Sequence, residues 1–188
     1  MKSLAVYCGS SPGHDPVYRE TAFKVGQLLA KRGLRLVYGG GNVGLMGAVA
    51  DGCLDGGGEV IGVIPGHLMD RELGHTGVTD LRIVEDMHER KAMMAELADG
   101  FLALPGAVGT LEEIVEVVTW VVLGLHGKPC GVLNLNGYYD HFAGLLQKMT
   151  DEGFMKEKYR RIFRFGDEAE TLIEELANAE EDVSCKWD

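Results

Sequence analysis

The stretch LAVYCGSSPG (residues 4–13) joins a short apolar run to a loop rich in glycine and serine. An apolar run that stops at Gly, Ser and Pro is typical of a buried strand followed by a turn. The pattern returns at residues 34–38, 60–64 and 101–104, each of which ends at glycine or proline. Shorter strands are predicted at 81–84 and 131–135.

Helical segments alternate with these strands. Residues 16–32 carry apolar side chains at helical spacing, and Gly33 ends the segment. Further helices are predicted at 44–56, 87–98, 111–123, 139–152 and 167–179, with an irregular loop at 67–79.

Apolar strands that alternate with helices give a parallel sheet covered on both faces. We therefore expect an α/β fold over residues 1–188: one domain with a Rossmann-like, doubly wound parallel sheet and helices on both faces. Ligands of such sheets bind beyond the carboxyl ends of the strands. The glycine clusters lie at those ends, so the same pattern predicts the fold and the position of the site.

Charge and composition restrict the function classes. The chain has 188 residues and a net charge of −11, so it repels phosphate backbones, and we expect no nucleic-acid partner. A small anion can still bind at a helix N-terminus. The Cys and His residues show no metal-ligand spacing, so neither a metal nor a cofactor is predicted. The early first strand leaves no room for a signal peptide, and no apolar run could span a bilayer, which predicts a cytoplasmic protein without a membrane partner.

The first candidate motif, GGGNVG at residues 39–44, follows the second strand. It matches GxGxxG formally, but the next strand does not end in the acidic residue that would hold a ribose. It is therefore a weak dinucleotide fingerprint. Gly40 and Gly41 remain candidates for backbone contact with a phosphate or sugar, and a tight strand-to-helix turn is the structural alternative.

The second motif, PGAVGTLEE at residues 105–113, also leads from a strand into a helix. Free N–H groups of the loop, the Thr110 hydroxyl and the helix dipole would together form an anion cradle. Glu112 and Glu113 lie directly beside it. Thr110 and Glu113 also fit a capping box, which requires no catalysis. The glycine loop before the box favours function, but both interpretations remain open from spacing alone.

The third motif is MHERK at residues 87–91. A charge run on a helix is usually a solvated face. Arg90 and Lys91 could instead hold a phosphate or carboxylate, because the preceding strand places this helix start at the carboxyl edge of the sheet.

Together, these segments resemble the Lonely Guy (LOG) family of cytokinin riboside 5′-monophosphate phosphoribohydrolases, often misnamed lysine decarboxylases. The family signature is PGGxGTxxE with an upstream Met-His-x-Arg-Lys segment. The similarity extends through residues 38–47, 71–73, 123–129 and 136–139 and covers nearly the whole chain. The resemblance implies hydrolysis of an N6-modified AMP to adenine base and ribose 5-phosphate, in a homodimer with the site near the interface. The largely apolar run 114–125, interrupted by Glu116 and Thr119, agrees with a covered face.

The resemblance also implies roles by position. Glu113 and Arg90 are implicated in catalysis, and Glu112 is expected to hold the ribose hydroxyls. The candidate substrate contacts are Gly40, Gly41, Glu72, Met87, Lys91, Gly106, Ala107, Val108, Gly109, Thr110, Leu111 and Thr119.

Two positions depart from the family pattern. Ala107 replaces the second glycine of the signature, and an alanine there would strain the loop if the position required a positive φ. Val122 stands where many relatives have glutamine.

Three other functions compete with hydrolysis. A non-catalytic nucleotide carrier or sensor is disfavoured by the acids beside the anion cradle, and a single-strand DNA-binding protein of this fold is disfavoured by the net charge. A lysine decarboxylase needs a Schiff-base lysine for pyridoxal phosphate, and no lysine stands in a recognisable context for one.

Overall fold

A computed structural model describes residues 1–69 and 74–179 of the chain. Within them, seven parallel strands form a sheet in the order β4-β3-β2-β1-β5-β6-β7. The strands are β1 Ser3–Tyr7, β2 Arg35–Tyr38, β3 Val60–Pro65, β4 Asp80–Val84, β5 Phe101–Ala103, β6 Cys130–Leu133 and β7 Phe163–Gly166.

Helices cover both faces of this sheet, as the sequence predicts. They are α1 Pro16–Lys31, α2 Gly44–Asp55, α3 Met87–Leu97, α4 Val108–Val122, α5 Asp140–Asp151, α6 Glu157–Arg160 and α7 Ala169–Asn178. Side chains of β1 alternate between two cores: Leu4 and Val6 face α1, α2 and α7, whereas Ala5 and Tyr7 face α3, α4 and α5. The predicted doubly wound α/β fold is confirmed.

The sheet changes winding direction between β1 and β5. The chain moves outward from β1 to β4 and then returns to place β5 on the other side of β1. The loops after β1 and β5 therefore lie side by side, and the Gly9 N–H donates to the Pro105 carbonyl over 3.1 Å. This switch point is where sheets of this kind bind ligands.

The structure differs from the sequence prediction near the C-terminal edge of the sheet and at α4. Strand β7 and the short helix α6 were not predicted, because the FRFG of β7 alternates apolar and charged residues on a half-buried edge and forms no continuous apolar run. Helix α4 begins at Val108 rather than at 111. Gly109 lies inside its first turn, and a glycine there weakens the helical pattern.

Helices α1 and α2 pack with their backbones almost in contact. A Cβ on Gly26 would lie 2.1 Å from the Val49 carbonyl oxygen, and one on Gly52 would lie 2.0 Å from that of Phe23. Only glycine permits this approach, which fixes α2 against the sheet directly after the GGGNVG turn.

We expect Gly26→Ala to lower the free energy of unfolding by about 2 kcal/mol, because the added methyl group would force the α1 and α2 backbones apart. Urea denaturation measures the change. The matched control is Gly144→Ala in helix α5, where a Cβ meets no atom within 4 Å. That variant is expected to be about 0.5–1 kcal/mol more stable than the parent chain. Equal midpoints for the two variants would contradict the packing described here.

Candidate active site

A cavity of about 230 Å³ opens at the switch point of the sheet. Its walls come from β1, from the segments that follow β1, β2 and β3, and from helices α2, α3 and α4. The residues that line it are Val6, Tyr7, Cys8, Gly9, Ser10, Gly39, Met46, Leu68, Met87, Arg90, Met94, Ala107, Gly109, Thr110, Glu112 and Glu113.

Arg90 places a buried cation in this cavity. The residue is only 6% exposed, and its Nη2 donates to the Gly39 carbonyl over 2.9 Å. Its Nη1 donates weakly to the Met87 sulfur at 3.6 Å, and its buried Nε has no hydrogen-bond partner among the described residues. Burying such a group without a partner is costly. Arg90 is therefore poised to bind an anion or a developing negative charge.

Gly39 makes the position of this guanidinium possible. A Cβ at Gly39 would lie 1.9 Å from Nη2 of Arg90, well inside contact distance. The glycine after β2 therefore provides space for the Arg90 side chain and also accepts its hydrogen bond.

Helix α4 presents its N-terminus to the same cavity. Its N-cap residue, Ala107, has no polar side chain with which to cap the first turn. Uncapped N–H groups and the helix dipole favour an anion at this end. The structure excludes the capping-box alternative, because Thr110 lies inside the first turn, with its N–H donating to the Ala107 carbonyl over 3.1 Å.

The loop before α4 is packed tightly against the loop after β1. A Cβ on Gly106 would lie 2.2 Å from Oγ1 of Thr110 and 2.8 Å from the Gly9 nitrogen, so this position requires glycine. Ala107 has φ −87° and extended backbone, which any residue can adopt. The departure at 107 therefore does not strain the loop. The Tyr138 hydroxyl donates to the Gly106 carbonyl over 2.7 Å and supports the loop from behind.

The charges of Glu113 and Arg90 both influence the pKa of the buried Cys8 thiol. Burial raises the pKa of Cys8 well above its ordinary value, the negative charge of Glu113 raises it further, and the positive charge of Arg90 opposes the shift. Burial and the charge of Glu113 also raise the pKa of Tyr7. The half-buried Glu113 therefore lies close to the end of β1, in the cavity that Arg90 also lines.

Lys91 does not line the cavity. Its buried Nζ donates to Oε1 of Glu112 and to Oε1 of Glu116, the latter over 3.0 Å. Burial alone would lower the pKa of Lys91, but these hydrogen bonds and the two negative charges raise it above the ordinary value. Glu112 and Glu116 of α4 therefore keep the lysine in its charged form. Of these two carboxylates, Glu112 lines the cavity and Lys91 lies behind it.

The other predicted contacts divide into two groups. Met87, Ala107, Gly109 and Thr110 line the cavity. Outside its lining lie Gly40, Gly41, Gly106, Val108 (81% exposed), Leu111 and Thr119, whose hydroxyl donates to the Val115 carbonyl. Val122 lies beside Thr119 in a separate groove between α4 and α5. Glu72 lies outside the described residues.

Sequence reasoning missed the contribution of β1 and of three apolar side chains. Tyr7, Cys8, Gly9 and Ser10 line the cavity because β1 and β5 are neighbours, a pairing that the GSSPG loop after the first strand could have indicated. Met46 and Met94 join Met87 and Leu68 in an apolar wall. Nothing in their spacing distinguishes them from core residues.

Comparison with known proteins gives similarity over almost the whole chain. A family model described as "Possible lysine decarboxylase" matches residues 46–176. The chain is 47% identical to cytokinin riboside 5′-monophosphate phosphoribohydrolase LOG of Oryza sativa subsp. japonica, over 100% of this chain and 78% of that protein. It is 46% identical to the phosphoribohydrolase LOG7 of Arabidopsis thaliana, over 100% of this chain and 89% of that protein.

A solved structure shows the same fold at much lower identity. The molybdenum cofactor carrier protein of Chlamydomonas reinhardtii superposes with a TM-score of 0.69 at 16% identity, over 95% of this chain and 99% of that one. At this identity the likeness concerns the fold alone.

We expect Arg90→Met to weaken binding of a nucleoside 5′-monophosphate by about tenfold to a hundredfold, the usual loss when a charged hydrogen-bond donor is removed. The midpoint of urea unfolding should not fall, because the substitution removes a buried cation that forms no ion pair among the described residues. Calorimetric titration measures the affinity, and Arg19→Met on the exposed face of α1 is the control. Unchanged affinity would remove Arg90 from the binding site.

Proposed function

The chain belongs to the family of cytokinin riboside 5′-monophosphate phosphoribohydrolases, and we propose that it hydrolyses the N-glycosidic bond of AMP or of an AMP with a substituent on N6. The products are the adenine base and ribose 5-phosphate. One observation carries the proposal: two carboxylates, a buried guanidinium and an uncapped helix N-terminus meet at one cavity.

The mechanism follows from the charge that the reaction develops. Cleavage of the bond between C1′ and the base nitrogen leaves positive charge on the ribose, and a carboxylate stabilises that oxocarbenium-like state. Glu113 supplies this charge and takes a proton from the attacking water, whose oxygen bonds to C1′. The base leaves with the electron pair of the broken bond and acquires a proton.

Other residues bind the two ends of the nucleotide. The N-terminus of α4 takes the phosphate, Glu112 accepts hydrogen bonds from ribose hydroxyls, and Arg90 polarises the phosphoribosyl part. The wall of Met46, Met87, Met94 and Leu68 faces the base. Thioether side chains adapt their shape easily, so this wall can accept N6 substituents of different size.

Pyridoxal-dependent decarboxylation does not fit the residues present. That chemistry needs a lysine whose amine reaches the cofactor in its neutral form, which requires a lowered pKa. No lysine of the described residues lines the cavity. The nearest, Lys91, is bound by two carboxylates and has a raised pKa. The name of the family model is therefore not supported by this site.

A non-catalytic nucleotide carrier or sensor is the alternative to hydrolysis. The positions of Glu112 and Glu113 argue against it. Both carboxylates face the cavity beside the phosphate end of α4, and negative charges there would weaken the binding of a phosphate. In hydrolysis, by contrast, Glu113 stabilises the ribosyl cation and Glu112 binds the ribose hydroxyls.

We place the enzyme in the cytoplasm as part of the proposal. Cys8 and Cys53 are free and buried, as expected in a reducing compartment. Among the described helices, none combines the length and the apolar character needed to cross a bilayer.

A homodimer completes the proposal. A groove between α4 and α5 is lined in part by two exposed apolar side chains, Val115 (39% exposed) and Phe154 (90% exposed). Further exposed apolar side chains lie at the end of α4, just after it and on α5: Leu123 (41%), Leu125 (68%) and Leu145 (51%). Clustered exposed apolar side chains indicate a protein interface. The same helix carries Glu112 and Glu113, so a second copy bound here would lie next to the active site.

We expect Glu113→Gln to lower turnover of AMP or isopentenyl-AMP by a few hundredfold or more, because the neutral amide cannot stabilise the ribosyl cation, a loss of about 3–4 kcal/mol. Chromatographic detection of the released base measures the rate, and circular dichroism tests the fold. Glu152→Gln on α5, an exposed carboxylate paired with Lys148, is the matched control. Near-normal turnover of Glu113→Gln would end the assignment.

We expect Phe154→Asp to halve the molar mass measured by light scattering, because a carboxylate in the apolar interface would have to be desolvated. Ile83→Asp is the control: Ile83 is 63% exposed but lies on β4, at the opposite edge of the sheet. A monomeric parent chain, or a dimer that survives Phe154→Asp, would exclude this interface.

A further inference from the structure

We propose that Lys91 is a positioning residue that acts through Glu112, with Glu116 as its second anchor. The inference rests on the proposed function, because Glu112 is the residue that meets the ribose. It replaces the direct contact with the substrate that the sequence predicts for Lys91, and it gives Glu116 a role in the reaction.

The geometry consists of one cation between two carboxylates. Glu112 and Glu116 are four residues apart on α4 and therefore project from the same side of the helix. Lys91 approaches them from α3, and its Nζ donates to Oε1 of each. The lysine side chain is 10% exposed, the Glu116 side chain 27% and the Glu112 side chain 54%.

The exposed fraction of the side chain increases from Lys91 through Glu116 to Glu112, the residue that lines the cavity. Lys91 is the most buried and does not line the cavity, whereas Glu112 is the most exposed and does. Among the described residues, Oε1 of Glu112 is bound by Lys91 and no hydrogen bond is made to Oε2. The lysine therefore fixes the carboxylate and leaves one oxygen available for ribose hydroxyls.

The two carboxylates account for the burial of Lys91. A buried ammonium must be paired and hydrogen-bonded, and each carboxylate supplies one hydrogen bond. Two of the three N–H groups of Nζ are directed at these carboxylates, and Lys91 does not line the cavity in which a substrate phosphate would bind. Because Glu116 does not line the cavity, it serves to keep Lys91 in place when Glu112 engages the substrate.

A double-mutant cycle between Lys91→Met and Glu112→Gln tests the proposal. Each single variant should lower kcat by about tenfold to a hundredfold with KM within about threefold, the pattern of a lost interaction that acts in the transition state. The double variant should be no worse than Glu112→Gln, because Lys91 has no function without that carboxylate. Inhibition by ribose 5-phosphate should weaken in Lys91→Met no more than it does in Glu112→Gln, because Lys91 acts only through that carboxylate.

Two further variants keep the test decisive. Glu116→Gln retains a hydrogen-bond acceptor and should therefore lower kcat less than Lys91→Met does. If the Lys91→Met variant does not fold, Glu116→Gln takes its place in the double-mutant cycle. Lys148→Met, which breaks the exposed pair with Glu152 on α5, is the control and should leave kcat unchanged.

The opposite results would overturn the inference. Multiplicative losses in the double variant, or an inhibition by ribose 5-phosphate that is tenfold weaker in Lys91→Met than in Glu112→Gln, would show that Lys91 binds the phosphosugar directly. Failure of the proposed function is distinguishable, because the parent chain would then release no base from any nucleoside monophosphate.

Discussion

The contact between the loops after β1 and β5 determines the rest of the site. Gly9 donates to Pro105, and Gly106 lies so close to Gly9 and Thr110 that no side chain fits at position 106. This contact directs the N-terminus of α4 at the cavity and places Glu112 and Glu113 one turn away. A looser loop would allow the anion-binding end of the helix and its carboxylates to turn away from the cavity.

The two buried cations of the site differ in how their charges are compensated. Arg90 is buried, and its Nε has no hydrogen-bond partner in the part of the chain that the structure describes, whereas Lys91 is buried with its charge compensated by Glu112 and Glu116. Neighbours in sequence, the two cations thus have different tasks: one is held ready for a ligand and the other orders a carboxylate. This arrangement explains how a chain with a net charge of −11 can bind an anionic substrate locally.

The fold was predictable from the apolar runs because a parallel strand buried on both faces leaves a continuous signal, as residues 4–8 and 60–64 show. Strand β7 gave no such continuous apolar signal, because Phe163 and Phe165 alternate with a charged residue in this edge strand of the sheet. In the site, Glu112, Glu113 and Arg90 could be selected from motifs. The partner of Lys91 could not, because it depends on how α3 packs beside α4, and the cavity wall of Met46 and Met94 has the sequence pattern of an ordinary core.

A crystal structure of the Glu113→Gln chain with unreacted AMP tests the central claim most directly. The account predicts phosphate oxygens within hydrogen-bond distance of the first-turn N–H groups of α4, and C1′ of the ribose next to the substituted side chain. It also predicts Arg90 in contact with the phosphoribosyl group. A nucleotide bound with its ribose away from position 113, or in the groove between α4 and α5, would contradict it.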